Sequence, residues 1–225
     1  MYQVLSDQAD FIIINKSANV HFHSQDGNAG VIAQAEADLS FKLHPVHRLD
    51  TPTSGLLIVA KSPQAANVFT QMFTEHKVQK YYLAIASGKP KKKQGWIIGD
   101  MAKSRRSMYK LLRTMENPAV TQFFSQSIAQ GIRMYLLKPL SGKTHQLRVA
   151  LASIGVPILG DKRYGRELSD RCYLHAYSLH FIYLNQRYSF QQPPLLGQEF
   201  MLPEGQQLLF NQWQSPDNLP WPSKR

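Results

Sequence analysis

The apolar run Leu56-Leu57-Ile58-Val59-Ala60 follows directly on a polar cluster, His47-Arg48-Leu49-Asp50-Thr51-Pro52-Thr53-Ser54-Gly55. No other stretch constrains the fold as tightly. A short run, apolar throughout and with a β-branched pair, predicts a strand buried on both faces. The cluster before it reads as the loop feeding that strand. Pro52 and Gly55 punctuate it, and Thr53 and Ser54 can hydrogen-bond locally. Asp50 is thereby placed in a loop pinned to the core. That is where a fold puts a group that must be held still and yet touch a ligand. The same carboxylate could instead cap its own turn or pair with Arg48.

Charge points to the kind of partner. The chain of 225 residues carries 26 Lys and Arg against 15 Asp and Glu, a net +11. Between residues 77 and 113 lie eleven basic residues and one acid, Asp100, so this window holds nearly the whole excess. It includes Lys80, Lys91, Lys92, Lys93, Arg105 and Arg106, with Tyr82, Trp96 and Tyr109 interleaved. A positive block of this kind fits a polyanion, and aromatic rings among cations suit stacking on unpaired bases. A solubilising surface or a lysine-rich hairpin tip would give the same composition. No run of 18 apolar residues and no basic-then-apolar leader is present, so neither a membrane helix nor a signal peptide is expected. The lone Cys172 excludes an internal disulfide and any metal site needing several thiolates. A reducing, cytoplasmic setting fits.

Local patterns fill in the elements. A first strand is predicted over residues 10–16 and a short helix over 28–39. Ser62-Pro63 opens a second helix ending near Lys77, with Ser as cap and Pro at its first position. Residues 80–87 alternate as a strand, Tyr81, Leu83 and Ile85 on one face and Tyr82, Ala84 and Ala86 on the other. The second face leaves room for something else to pack. Lys89 to Lys93 make a basic loop before a short strand over 95–100. Residues 101–118 read as polar, basic, irregular and mobile without a partner. Paired strands are expected over 120–125 and 132–139, across a turn containing Gly131. A helix is predicted from Thr144 to Ile154, with Arg148 at the border of its apolar stripe and partly buried. Leu174 to Leu184 reads as a late helix turn and strand. The histidines of His21-Phe22-His23 lack a third ligand nearby, so no metal site is expected. Short turns and a majority of strands predict an α+β fold with a large mixed, mostly antiparallel sheet and flanking helices. Residues 1–214 are expected to form one domain and 215–225 a peripheral or frayed tail.

The cluster His47-Arg48-Leu49-Asp50-x-x-Thr53-Ser54-Gly55-Leu56-Leu57 resembles the RluA-type pseudouridine synthases, and three further blocks match in the same order. Phe11 to Lys16 with Val20-x-x-His23 resembles the first motif of that family. Lys80-x-Tyr82-x-Ala84 resembles its tyrosine motif. Its last and longest motif matches from Gly142-Lys143-Thr144-His145-Gln146-Leu147-Arg148 through Gly160-Asp161-x-x-Tyr164-Gly165, and Leu174-His175-Ala176 continues it. The resemblance spans about residues 10 to 185. Departures are Ser17, Lys143, Ala150 and Val156, where the family usually has Pro, Arg, His and His.

The resemblance implies the catalytic fold of that family, with a central RNA-binding cleft and without the extra N-terminal RNA-binding domain of some relatives. It implies isomerisation of selected uridines in RNA to pseudouridine, with no cofactor and no metal. A stem-loop of ribosomal or transfer RNA is the expected substrate, and a monomer the expected state. It makes Asp50 the essential catalytic residue and Arg148 its basic partner. Tyr82 would stack on the target base, Leu147 would lie under it, and Arg48 would enter the RNA stack where the base leaves. His47, Thr53, Lys80, Lys91, Lys92, Lys93, Arg105 and Arg106 are the further candidates for contact with RNA.

The chemistry wants such residues. The bond from uracil N1 to the sugar breaks, and the base turns and rejoins through C5, so nothing external is consumed. One ionised carboxylate suffices, as a nucleophile or as a base; the sequence leaves both open. Burial raises a carboxyl pKa, whereas an arginine within about 4–6 Å favours the charged form. A flat ring and an aliphatic side chain would hold the detached base while letting it rotate. A second reading, an RNA-binding or RNA-folding factor with little catalysis, accounts for the charge but not for Asp50, Tyr82 and Arg148 together.

Overall fold

The computed structural model describes residues 1–25, 27–165 and 167–223. In chain order the elements are β1 (Tyr2–Asp7), β2 (Phe11–Lys16), α1 (Val31–Leu39), β3 (His44–Pro45), β4 (Ser54–Ala60), α2 (Pro63–Thr74), β5 (Gln79–Ser87), β6 (Gln94–Gly99), β7 (Met101–Lys103), β8 (Tyr109–Leu111), β9 (Ala119–Ala129), β10 (Ile132–Pro139), α3 (Gln146–Ser153), β11 (Leu174–Tyr183), β12 (Gln186–Gln191) and α4 (Pro203–Asn211). The fold is α+β, as expected. Among the described residues, no helix is long and apolar enough to cross a membrane. The chain divides into two compact units, residues 1–79 with 175–194, and residues 80–174 with 195–225; Lys224 and Arg225, the end of the expected tail, lie outside the described residues.

In the first unit every residue of β4 is buried. It pairs antiparallel with β2 and with β3, and parallel with β11 at His175–Ser54 and Ala176–Gly55. Gly55 permits that parallel contact. Its φ is +111°, and a Cβ there would lie 2.3 Å from the Ala176 carbonyl oxygen. β1 pairs with β2, and β12 with β11. Helix α2 starts as its sequence dictates, the Ser62 hydroxyl accepting the Ala65 N–H at 3.2 Å. It buries Phe69 against Phe11 and stacks it on Tyr183, with centroids 4.8 Å apart. The core is thus an aromatic cluster centred on Phe11, which also meets Phe181, Tyr188 and Phe190.

In the second unit β10 lies between β5 and β9, and β6 pairs with the far edge of β9, all antiparallel. The other edge of β5 is occupied too. Ile85 N–H donates to the Tyr173 carbonyl and Leu159 N–H to the Ile85 carbonyl. Ala84 and Ala86 are fully buried, so on the face expected to leave room only Tyr82 is half-exposed.

Four expectations need correction. Residues 101–118 are irregular only in part: β7 and β8 form a two-stranded ribbon, and in the coil after it Asp100 accepts the N–H groups of Glu116 and Asn117. Residues 174–183 are strand throughout, without a helical turn. Helix α3 begins at Gln146 rather than Thr144, because His145 stands in the left-handed region with φ 58°. The tail is packed through residue 222: Trp221 donates to the Pro216 carbonyl, Gln122 donates to the Pro222 carbonyl, and the Trp221 ring lies 4.7 Å from that of Phe124.

Candidate active site

The loop before β4 is held from within by buried polar groups. Lys16, at the end of β2, is 0% exposed. Its ammonium donates to the carbonyls of Ser17 (3.0 Å), Val20 (2.9 Å) and Thr51 (3.2 Å). A buried cation needs such partners, and a lysine has three donors to give. One of the three is the backbone of the residue after Asp50. On the other flank, Thr53 N–H donates to the Asp50 carbonyl at 3.0 Å. Leu49 is buried between exposed Arg48 and half-exposed Asp50. The Arg48 guanidinium lies 5.9 Å from the Phe22 ring centre.

Where the loop enters β4, Ser54 Oγ lies 2.7 Å from His175 Nδ1. His175 Nε2 lies 2.7 Å from the Gln192 carbonyl oxygen. A carbonyl only accepts, so Nε2 carries a proton and donates to it, which orients the ring toward Ser54. Both side chains are buried.

In the second unit, α3 is locked at its start by Gln146. Its side-chain oxygen accepts from Ser141 Oγ and Lys143 N–H, and its amide nitrogen donates to the Val120 carbonyl and to Thr121 Oγ1. All four bonding positions of one amide are used, which fixes the register of the helix. One residue on, Leu147 is buried, and then comes Arg148, 3% exposed. Arg148 Nε and Nη2 each donate to Asp161 at 2.7 Å. Asp161 also accepts the N–H groups of Arg163 (2.9 Å) and Tyr164 (3.2 Å). Burial pushes the Asp161 carboxyl up, but hydrogen bonds and charge from Arg148, with the two N–H groups, outweigh it and hold its pKa below the usual carboxylate value. On β5, Tyr82 lies opposite Leu137 of β10, and half-buried Lys80 has its pKa lowered by loss of solvent.

A profile of the family described as RNA pseudouridylate synthase matches residues 10–153. The chain belongs to that family. A relative from Haemophilus influenzae, an uncharacterized RNA pseudouridine synthase, is 48% identical over 204 residues, 89% of this chain and 91% of its own length. The ribosomal large subunit pseudouridine synthase C of Rickettsia bellii is 37% identical over 144 residues, 60% of this chain and 47% of its own. Among solved structures, human RNA pseudouridylate synthase domain containing 1 superposes with a TM-score of 0.74 at 26% identity, covering 86% of this chain and 84% of the other. The protein is thus an RNA pseudouridine synthase, an isomerase, and the RluA-type resemblance holds.

The synthase carries His47, Arg48, Asp50 and Thr53 on one loop of its first unit, and Leu147 and Arg148 on one helix of its second. Lys91, Lys92 and Lys93 are exposed between β5 and β6, and Arg105 and Arg106 are exposed at the ribbon tip. Two of the expected RNA contacts have work inside the protein. The His47 ring stacks on Phe73 at 4.4 Å and accepts the Ile58 N–H at 2.9 Å. Thr53 is 2% exposed. Sequence reasoning assigned no role to Lys16, Gln146, Asp161 or His175, and gave Ser54 only a local hydrogen bond where its partner is the distant His175. Their positions inside the matched motifs were the available signal.

Proposed function

We propose that the synthase acts on uridines in a structured loop of ribosomal or transfer RNA, with Asp50 as the catalytic carboxylate. The observation that carries this reading is the support of the Asp50 loop. Lys16 holds the Thr51 carbonyl, and buried Ser54 and His175 hold the entry to β4. Groups spent in this way on one half-exposed acid suit a carboxylate whose position matters more than its burial. The name of the Rickettsia relative favours ribosomal RNA.

The remaining roles follow from chemistry. The target uridine must leave its stack, which costs a few kcal/mol and is cheapest in loops. Arg48, exposed beside Asp50, enters the vacancy. Tyr82 stacks on the extruded base, and Leu147 lies under it. Arg148 supplies a permanent positive charge, since a guanidinium does not deprotonate at working pH. Lys80, Lys91, Lys92, Lys93, Arg105 and Arg106 bind the phosphate backbone. His47 and Thr53 support the loop. The enzyme works as a cytoplasmic monomer.

The test is tritium release. RNA labelled at C5 of uridine, from a strain lacking this gene, is incubated with wild-type protein and with Asp50→Asn. C5 loses its hydrogen when it becomes the glycosidic carbon. Release by wild type alone is expected. Release by Asp50→Asn refutes the role given to Asp50. No release by either, with RNA binding retained, leaves an RNA-binding or RNA-folding factor as the better account.

A further inference from the structure

Tyr164 makes contacts that neither the reaction nor the fold core accounts for. Its hydroxyl accepts the backbone N–H of Tyr109, in the second strand of the ribbon, at 2.9 Å. The same hydroxyl lies 2.8 Å from His145 Nδ1, at the residue that starts α3. With its lone pairs facing the amide, the hydroxyl has its proton left for the imidazole. The ring of Tyr164 meanwhile covers Arg148, whose guanidinium carbon lies 5.2 Å from the ring centre. Its backbone N–H reaches Asp161 Oδ1, the oxygen that also receives Arg148 Nη2. Tyr164 therefore touches the arginine by its face and through the arginine's own carboxylate, and touches the ribbon by its hydroxyl.

Arg163 repeats the arrangement. Its backbone N–H goes to Asp161 Oδ1, and its side chain donates from Nη1 to the Ser107 carbonyl at 3.2 Å. Ser107 lies at the ribbon tip, where Arg106 and Ser107 both take left-handed backbone angles, φ 54° and 57°. Two adjacent non-glycine residues in that region are uncommon and fix the shape of the tip. Arg163 and Tyr164 thus each set a backbone N–H on the carboxylate that holds Arg148 and a side-chain polar group on the ribbon.

We propose that Tyr164 is a positioning residue that couples RNA held on the β7–β8 ribbon to the setting of Arg148. The inference rests on the reading that the ribbon binds RNA and that Arg148 serves the reaction. A ribbon loaded with RNA at Arg105 and Arg106 loses freedom, and the Tyr109 amide and Ser107 carbonyl then hold segment 161–164. Arg148 is restrained in turn through Asp161 and the Tyr164 ring. Binding energy spent at the tip would appear in turnover and not only in affinity.

The test is a mutant cycle on the full chain, with C5-tritiated cellular RNA as substrate. The variants are Tyr164→Phe, the tip double variant Arg105→Ala with Arg106→Ala, and the triple combination. Tyr164→Phe removes the hydroxyl and keeps the ring over Arg148. Its kcat should fall about fivefold, the worth of one hydrogen bond, with KM and RNA affinity by filter binding unchanged. The tip variant should raise KM and also lower kcat. The triple variant should have the kcat of Tyr164→Phe and no lower, because the coupling is already cut. Wild-type kcat in Tyr164→Phe, or kcat losses that multiply in the triple variant, overturn the inference. If the Tyr164→Phe fold is damaged, seen as a lowered thermal midpoint, Arg163→Met replaces it and the same non-additivity decides. Absence of release by the wild type is a different failure; it sinks the catalytic reading, and the inference with it.

Discussion

Both carboxylate oxygens of Asp161 take hydrogen bonds from Arg148, Nε to Oδ2 and Nη2 to Oδ1, each at 2.7 Å, with both side chains almost wholly removed from water. A paired, planar grip of this kind fixes the plane of the guanidinium as well as its position. Asp161 thereby gives Arg148 its plane, and the contacts of Tyr164 and Arg163 with the ribbon bear on the same carboxylate.

The pair should be visible in the pH dependence of stability. The Asp161 carboxyl lies below its ordinary value of 3.8 when folded. The unfolded chain therefore binds the proton more readily. Stabilisation is complete above the unfolded pKa and is lost as pH falls through the lower, folded one. Urea midpoints of the wild type should drop below about pH 4, where unfolded aspartates protonate. Asp161→Asn should lack part of that drop and be less stable at pH 7 by about 3 kcal/mol, since it takes a charged, doubly hydrogen-bonded acceptor away from a buried guanidinium. Parallel pH profiles for the two proteins would contradict this.

Lys16 offers a second case. Lys16→Met keeps most of the side chain and removes its donors to the carbonyls of Ser17, Val20 and Thr51. A loss of about 2 kcal/mol is expected, since hydrogen bonds from a charged donor are lost while the carbonyls, on exposed or half-exposed residues, can turn to water. Because Thr51 adjoins Asp50, kcat should fall as well, more than KM rises. Urea denaturation and steady-state tritium release measure the two effects. A stable variant with full kcat would mean that the loop is set by other contacts.

The sequence was legible where one local rule decides. The apolar run Leu56 to Ala60 is buried throughout as the body of β4, and Ser62-Pro63 caps α2 as its chemistry requires. It was illegible where tertiary contact overrides a local rule. β12 follows a two-residue turn of Leu184 and Asn185, both at positive φ, where the usual signal is Asn-Gly. α4 carries Gly205, costly inside a helix, yet a Cβ there would come within 2.9 Å of Met134. The site divides in the same way. The Asp50 loop announced itself by its neighbours in sequence. His175 is 121 positions from Ser54, and Asp161 reads as an ordinary turn residue until Arg148 is seen on it.

The buried Ser54–His175 hydrogen bond can be tested by Ser54→Ala. The change takes the Ser54 hydroxyl away from His175 Nδ1, while Nε2 keeps the Gln192 carbonyl. A destabilisation of about 1–2 kcal/mol is expected for the loss of one buried hydrogen bond. If the bond also sets the loop, kcat should drop while RNA affinity holds, and Ser54→Thr, which restores the hydroxyl, should recover part of it. Equal kcat in Ser54→Ala and wild type would confine the bond to stability.

Salt dependence separates the basic residues that meet phosphate from those that merely keep the surface charged. Each phosphate contact releases condensed counterions, so log K falls with log salt by about 0.7 per contact on single strands and 0.9 on duplex. Arg105 and Arg106 are exposed at a tip whose backbone shape is fixed, and Lys91, Lys92 and Lys93 are exposed on the β5–β6 loop. If both clusters touch the backbone, Arg105→Ala with Arg106→Ala should lower the slope by about 1.4 to 1.8, and the triple lysine change by about 2.1 to 2.7. The weakening should be uniform across RNA sequences, because phosphate contacts carry no base information. Filter binding between 50 and about 300 mM salt covers the range in which these slopes are usually resolved. A cluster whose removal lowers affinity without changing the slope acts through the protein fold. One that changes neither is a solubilising surface, which is how a lysine-rich loop reads before the RNA is considered.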